Sequence, residues 1–377
     1  MAAPVCAQQQ FAAADAVVQE GIDAGLYPGA VVVIGRQDTI LHAQGYGHLT
    51  WNPGASIPNP DSTIWDIASI TKVVATTSSV MRLADARRLE LDAPVTRYLS
   101  RFKGARRDRV TVRMLLDHTS GLPAYLPLHR LARNRNRALD RLYRAPLERV
   151  PGDSAVYSDL HAMLLGLVVE KVAGRSLADV AAAEVFRPLD MPRTMFRPGG
   201  KLGRWIAPSG VHRGRPVSGR VNDENAVRLG GIAGHAGVFS TGGDLARYAQ
   251  TWLRNGVAGS GAIWVSPGVV RRFLTPGARS GTRLLGWDTR DPLATPELPS
   301  VFGSLVSPAT YGHTGWTGTE LWIDPVRNLF LVFLTNRSFD PRTDQSVEKL
   351  KLVRARLSDA VVGAIPPVCA QELVAVC

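Results

Sequence analysis

The sequence predicts an α/β (α+β) protein in which both chain ends supply strands and a helix to one sheet domain, with a helical layer inserted between the two halves of that domain. Three observations predict it. Residues 11–25 (FAAADAVVQEGIDAG) have helical periodicity, and GAVVVIGR and TILHAQGYG then read as two strands joined by a short polar turn. Near the other end, ELWID and LFLVFLTN are two apolar runs separated by the turn Pro325-Val326-Arg327-Asn328, followed by an amphipathic stretch from about Asp344 to Val362. Between these ends, roughly residues 69–190, the patterns are helical.

In chain order, Ile70, Val73, Val74, Thr77, Val80, Met81 and Ala84 form the first apolar helix face of this middle region. Further periodic segments run from Leu160 to Val172 and from Leu177 to Val185, set apart by Gly/Pro loops. Residues 197–240 are loop-rich and read as a crossing back to the sheet. The expected division is a discontinuous sheet domain, residues 1–68 and about 230–377, around a mainly helical domain of about 69–229. No internal repeat or low-complexity segment interrupts it.

At 377 residues, 45% of them hydrophobic, the chain can bury a large core, which excludes disordered and collagen-like classes. No run of 18 or more uncharged apolar residues predicts a membrane span, and Met1 to Phe11 lacks a basic then apolar signal pattern. The net charge of +12, carried mostly by Arg, favours acidic partners without naming one. Arg130, Arg133, Arg137, Arg141 and Arg144 recur every three or four residues and would form one basic stripe on a helix, either a solvated face or a contact for an anionic polymer, lipid or substrate. No nucleic-acid-reading motif accompanies them, so no nucleic-acid partner is expected. Cysteines occur only at positions 6, 369 and 377, which excludes a CxxC pair and a zinc cluster; neither metal nor cofactor is expected. Cys6 paired with Cys369 or Cys377 would imply an oxidising compartment, and three reduced thiols are an equal alternative.

There is no GxSxG elbow, no HExxH and no P-loop. Ser69-Ile70-Thr71-Lys72 instead places a hydroxyl and an amine one helical turn apart, where the amine can help move the hydroxyl proton. Alone, that spacing equally describes an N-cap serine with a solvated lysine, and Ser346-Val347-Glu348-Lys349 repeats it in a charged helix. Context separates the two. Ser69 follows the apolar run from Ile64 to Ala68 and opens an apolar helix, so it is expected at a buried helix N-terminus that favours developing negative charge. Tyr157, in Tyr157-Ser158-Asp159 before a helical run, is a candidate general base if nearby cations lower its pKa. Gly312-His313-Thr314-Gly315-Trp316 precedes a strand, and its glycines would let a substrate lie along an exposed edge. His118 and His235 read as loop hydrogen-bonding residues.

The order S-x-x-K, Y-S-D, H-T-G resembles the penicillin-binding protein and serine β-lactamase superfamily, and most closely its class C β-lactamase-like branch with DD-peptidase and carboxylesterase relatives. WDIASITKVVATTSSVMRLADARRLELDAPVTRYL, LLDHTSGLP, GGIAGHAGVFSTGGDLARYAQ and GHTGWTGTELWIDP extend the resemblance over nearly the whole chain. It implies an antiparallel sheet flanked by the N- and C-terminal helices, a helical domain, and an active site in the cleft between them. Side-by-side terminal helices would also bring Cys6 within reach of Cys369 or Cys377.

The resemblance implies Ser69 as acyl-accepting nucleophile, Lys72 in proton transfer, Tyr157 as general base, the Ser69 and Trp316 backbone N–H groups as oxyanion hole, and Asp159, His313, Thr314 and Gly315 as substrate-binding residues. The branch's β-lactamases carry Lys-Thr-Gly and Tyr-x-Asn where this chain has His313 and Asp159. A neutral His313 attracts a substrate carboxylate less than lysine does, and Asp159 facing the site would keep Lys72 protonated. The expected function is therefore a DD-peptidase or esterase acting on a small molecule or peptide with a carbonyl centre, of D-Ala or peptidoglycan type. A class C-type β-lactamase and a penicillin- or cell-wall-fragment-binding sensor are the alternatives. Such chemistry points to the periplasm or exterior, with the cytoplasm left open, as is the oligomeric state.

Overall fold

A computed structural model describes residues 10–212, 215–295, 299–339, 344 and 346–365. Cys6, Cys369 and Cys377 lie outside the described residues. The chain begins with α1 (Ala12–Asp23), β1 (Gly29–Gly35), β2 (Ile40–Gly47) and β3 (Trp65–Asp66), then α2 (Ser78–Asp85), α3 (Val112–Leu116), α4 (Leu128–Leu131), α5 (Arg135–Tyr143), α6 (Asp159–Ala173) and α7 (Leu177–Ala181). The crossing segment holds β4 (Met195–Phe196), β5 (Gly210–His212), β6 (Arg215–Val217), α8 (Glu224–Arg228) and β7 (Val238–Ser240). The chain returns through α9 (Gly242–Leu253), α10 (Pro267–Phe273), β8 (Asp288–Thr289), β9 (Tyr311–Thr314), β10 (Glu320–Asp324), β11 (Leu329–Thr335) and α11 (Val347–Gly363).

Six strands form one antiparallel sheet in the order β2-β1-β11-β10-β9-β8, so the first and last strands of the chain, β1 and β11, pair at its centre. Both are buried at every residue, and alternation sends successive side chains to opposite faces. Ala30, Val32, Ile34, Leu331 and Phe333 pack with the terminal helices α1 and α11, where Trp322 Nε1 donates to Ser358 Oγ at 2.9 Å. Val31, Val33, Val332 and Leu334 join the larger core that includes α9 and the inserted helices. A one-residue register slip would exchange these two sets, so the pairing is tightly specified.

The segment expected to open as an α-helix at Ser69 does so in steps. Ala68–Ile70 is a 3₁₀ turn, Lys72–Thr77 a wider π turn, and α geometry starts only at Ser78. The cause is visible at the Val73 carbonyl: it accepts from the Ser78 backbone N–H five residues on, from Ser78 Oγ at 2.9 Å and from Tyr248 Oη at 3.0 Å. Side-chain hydroxyls inserted into the helical ladder widen the turn. The arginine run also departs from expectation. It is not one helical stripe, because Asn134 breaks it by capping α5, its Oδ1 accepting from the Arg137 N–H at 3.0 Å.

The turn Ala233–Ala236 is pressed onto α6 through two glycines. A Cβ on Gly234 would stand 1.9 Å from the Ala162 carbonyl oxygen, and one on Gly166 would stand 3.1 Å from the Gly234 Cα. Thr76 Oγ1 donates to the Gly234 carbonyl at 2.7 Å and ties this turn to the π turn. Gly234→Ala is expected to destabilise the protein by about 1–3 kcal/mol, whereas Gly259→Ala, which meets no atom within 4 Å, should stay within about 0.5 kcal/mol of the parent. Denaturant midpoints of the two variants provide the measurement, and equal midpoints would contradict the packing argument.

Candidate active site

A cleft of about 760 Å³ gathers Ser69, Tyr157, Asp159, His313, Thr314, Gly315 and Trp316 along its wall. Ser69 stands on a constrained turn. Ala68, just before it, has φ +47°, and its N–H is held by Asp66 Oδ1 at 2.9 Å. From the β10 side, Thr317 Oγ1 donates to the Asp66 carbonyl at 2.7 Å and Thr319 Oγ1 to the Ile67 carbonyl at 3.1 Å. This close approach requires Gly315, where a Cβ would stand 2.1 Å from Thr319 Oγ1 and 2.7 Å from the Ile67 carbonyl oxygen.

Lys72 lies beneath Ser69 with 3% of its surface exposed. Its Nζ donates to Ser69 Oγ at 2.8 Å and to the His235 carbonyl at 3.3 Å, and it pairs with Asp159 Oδ1 at 2.8 Å. Tyr157 is a further electrostatic neighbour, with Nζ 4.9 Å from its ring's centre. Burial by itself lowers the Lys72 pKa. Asp159 and then Tyr157 outweigh it, so the amine is held protonated, above its ordinary range. The competing pair shows the contrast: Ser346 merely caps α11 and exposed Lys349 pairs with Asp344.

Tyr157 and Asp159 flank the N-cap of α6, whose cap Ser158 accepts from the Leu160 N–H and donates through Oγ to the Pro123 carbonyl at 2.6 Å. Beneath them lie two buried histidines. The Ser158 N–H donates to His118 Nδ1, so the His161 Nδ1 at 2.7 Å must carry the proton of that contact, and His161 Nε2 accepts from Ser120 Oγ. Both rings are neutral: burial, first of all causes, drives His118 well below its ordinary pKa and His161 to about 3. His235 bonds Asp223 through Nε2 at 2.9 Å. Sequence reading noticed His118 and His235 as loop residues but missed His161, which sits on an ordinary apolar helix face.

His313 projects from β9, and β8 pairs only with Tyr311 and Gly312, so the β9 edge from His313 onward borders the cleft. The ring is 4% exposed and its pKa is pushed down to about 3, by burial first and then by Lys72 and Arg283. Neutral Nδ1–H donates to the Thr314 carbonyl at 2.7 Å, leaving the buried Nε2 without a partner among the described residues. The Trp316 N–H, in the turn after β9, donates to no acceptor among the described residues. Its indole is 57% exposed and lies under the Arg337 guanidinium.

Arg283 is the cleft residue that motif reading could not find. It comes from a loop without a recognisable pattern, pairs with Asp288 at 3.1 Å and places its guanidinium 5.1 Å from the centre of the Tyr157 ring. Arg354 of α11 supports the wall from behind, donating to the Gly315 and Thr319 carbonyls at 2.8 and 2.9 Å.

The Beta-lactamase family model matches residues 14–355. The chain belongs to the Beta-lactamase family. It is 31% identical over 364 residues to a protein of Escherichia coli (strain K12) named "Putative D-alanyl-D-alanine carboxypeptidase", covering 88% of this chain and 83% of that one. A protein of Salmonella typhi with the same name is 29% identical over 385 residues, 93% and 88% of the two chains. Among solved structures, EstCE1, "a hydrolase with promiscuous acyltransferase activity", superposes with TM-score 0.74 at 24% identity over 95% of this chain and 100% of its own. A class C beta-lactamase superposes with TM-score 0.75 at 19% identity, over 97% and 99%. At these identities the two structures establish a shared fold, the β-lactamase/transpeptidase-like architecture.

Replacing Asp159 removes the largest influence that raises the Lys72 pKa, and burial acts in the same direction as that loss. In Asp159→Asn the Lys72 ammonium is therefore expected to lose its proton at a pH lower by about 1–3 units. Carbon-13 NMR of labelled lysine side chains follows this titration directly; coincident curves for variant and parent would show that Asp159 does not govern the charge.

Proposed function

We propose that this chain is a serine hydrolase working through an acyl-enzyme on Ser69, with D-Ala-type peptides as its main substrate class and small esters as further acyl donors. The observation that carries the reading is the hydrogen bond between Ser69 Oγ and the buried Lys72 ammonium, with the Tyr157 ring centre 4.9 Å from the same Nζ. In the proposed mechanism Ser69 Oγ attacks the substrate carbonyl carbon and its proton passes to Tyr157 Oη. Lys72, kept charged by Asp159, steadies the phenolate form of Tyr157 and relays the proton to the leaving amine or alkoxide. The Ser69 and Trp316 N–H groups receive the oxyanion, and water later releases the acyl group.

Substrate choice follows from the charges in the cleft. Neutral His313 offers a hydrogen-bond acceptor rather than a cation, alongside Thr314 and Gly315 on the open β9 edge. Arg283 instead supplies a fixed positive charge next to Tyr157, which suits a substrate ending in a carboxylate. The names of the Escherichia coli and Salmonella relatives agree with a carboxypeptidase. The same charge would receive a β-lactam carboxylate, so a β-lactamase is the second reading. A cell-wall setting, periplasmic or extracellular, follows from that substrate class. Among the described residues no helix is long and apolar enough to cross a membrane.

Intact-mass measurement after mixing with a penicillin, a cephalosporin, a p-nitrophenyl ester and a D-Ala-D-Ala peptide tests the reading. A long-lived penicillin adduct with peptide turnover is expected, and Ser69→Ala should lose both, with turnover down by about a thousandfold or more. Rapid cephalosporin turnover would favour the β-lactamase, adducts without turnover the binding sensor, and neither adduct nor turnover with any compound would refute the hydrolase.

A further inference from the structure

Behind the active-site wall lies a second cavity that the proposed reaction does not use. Helix α4 is a single turn: its His129 and the preceding Tyr125 line the catalytic cleft, while its Arg130 and Leu131 and the preceding Leu126 line a separate groove of about 750 Å³. Arg130, Arg133, Arg137, Arg141 and Arg144 all line this groove and all are exposed. Among the described residues, no hydrogen bond or ion pair engages any of these five guanidinium groups. The one carboxylate in the lining, Asp140, is already held by Arg101. Elsewhere on the surface, arginines such as Arg113, Arg175, Arg247 and Arg272 do have acidic partners. Five of the cations behind the net charge of +12 thus converge on one concavity, where they repel one another and hold nothing in place.

We propose that this groove is a binding site for a linear, phosphate-bearing polyanion without nucleobases. Planar guanidinium groups match phosphate oxygens in a fork geometry, and five of them around one groove call for repeated anionic groups rather than a single ion. The lining favours a polyanionic chain over a bilayer. Of the lining residues Leu131 alone is a large exposed hydrophobic, and the apolar side of α5, Ala138, Leu139 and Leu142, is buried in the core. Among the described residues no aromatic side chain lines the groove, so bases would find no stacking platform. Because α4 lends residues to both linings, a chain bound in the groove would lie next to the wall of the Ser69 cleft. The site does not depend on the reaction proposed for Ser69.

The test is binding of linear inorganic polyphosphate, measured by calorimetry at several salt concentrations. Three proteins are compared: the parent, Arg133→Gln/Arg137→Gln/Arg141→Gln, and a control with the same loss of charge at exposed sites outside the groove, Lys103→Gln/Arg109→Gln/Arg187→Gln. The groove variant is expected to bind about tenfold or more weakly and with a shallower dependence on salt, the control to bind nearly as the parent does. Unchanged thermal midpoints and unchanged p-nitrophenyl ester hydrolysis would accompany this, since none of the six positions touches the cleft. The proposal is overturned if the parent does not bind polyphosphate or if both variants lose affinity equally. It is also overturned if single-stranded DNA or phosphatidylglycerol vesicles bind the groove more tightly than polyphosphate does.

Discussion

A single buried ammonium sets the terms for the site. Taking a lysine out of water costs several kcal/mol unless its charge and its donors are met. Lys72 has its needs met by groups from three places in the chain: Ser69 one turn before it, Tyr157 and Asp159 at the start of α6, and the His235 carbonyl. Each of those groups is itself held. The His235 turn rests on the Gly166–Gly234 contact, and α6 is fixed at its N-cap by the neutral His118–His161 pair. The inserted helices, the crossing segment and the SxxK turn therefore meet at one charge.

The sheet contributes a different element, an edge. Pairing β1 with β11 closes the two chain ends into one layer, and β9 is left with a short partner, so its last residues face the cleft. Gly315 lets that strand approach the Ser69 turn, with Thr317 and Thr319 joining the two through hydroxyls. Arg354, reaching from the C-terminal helix through the far side of the sheet, makes the position of this edge sensitive to the packing of α11.

Electrostatically the cleft differs from a simple reading of its motif. The H-T-G histidine is neutral because burial, and then neighbouring cations led by Lys72 and Arg283, exclude its charge, and the cleft cation beside Tyr157 is Arg283. Under the proposed function, a carboxylate-bearing substrate would be met by a residue on a loop rather than by the motif strand.

The sequence by itself determined the element types, the order of the three motifs and, through their joint resemblance, the family. Hydrophobic period and turn chemistry are local properties, and a shared motif order is carried by the chain itself. It also distinguished Ser69 from Ser346 by the apolar run before it. Tertiary structure decided the rest. The widened turn at Val73 depends on Tyr248, distant in sequence, and the pairing of Lys72 with Asp159 depends on where α6 lands. The arginines expected on one helix surround a groove because Asn134 starts a new helix among them. Arg283 and His161 were invisible for the same physical reason: a side chain acquires its charge state and its partners from groups brought to it by folding, and neighbours along the chain do not encode them.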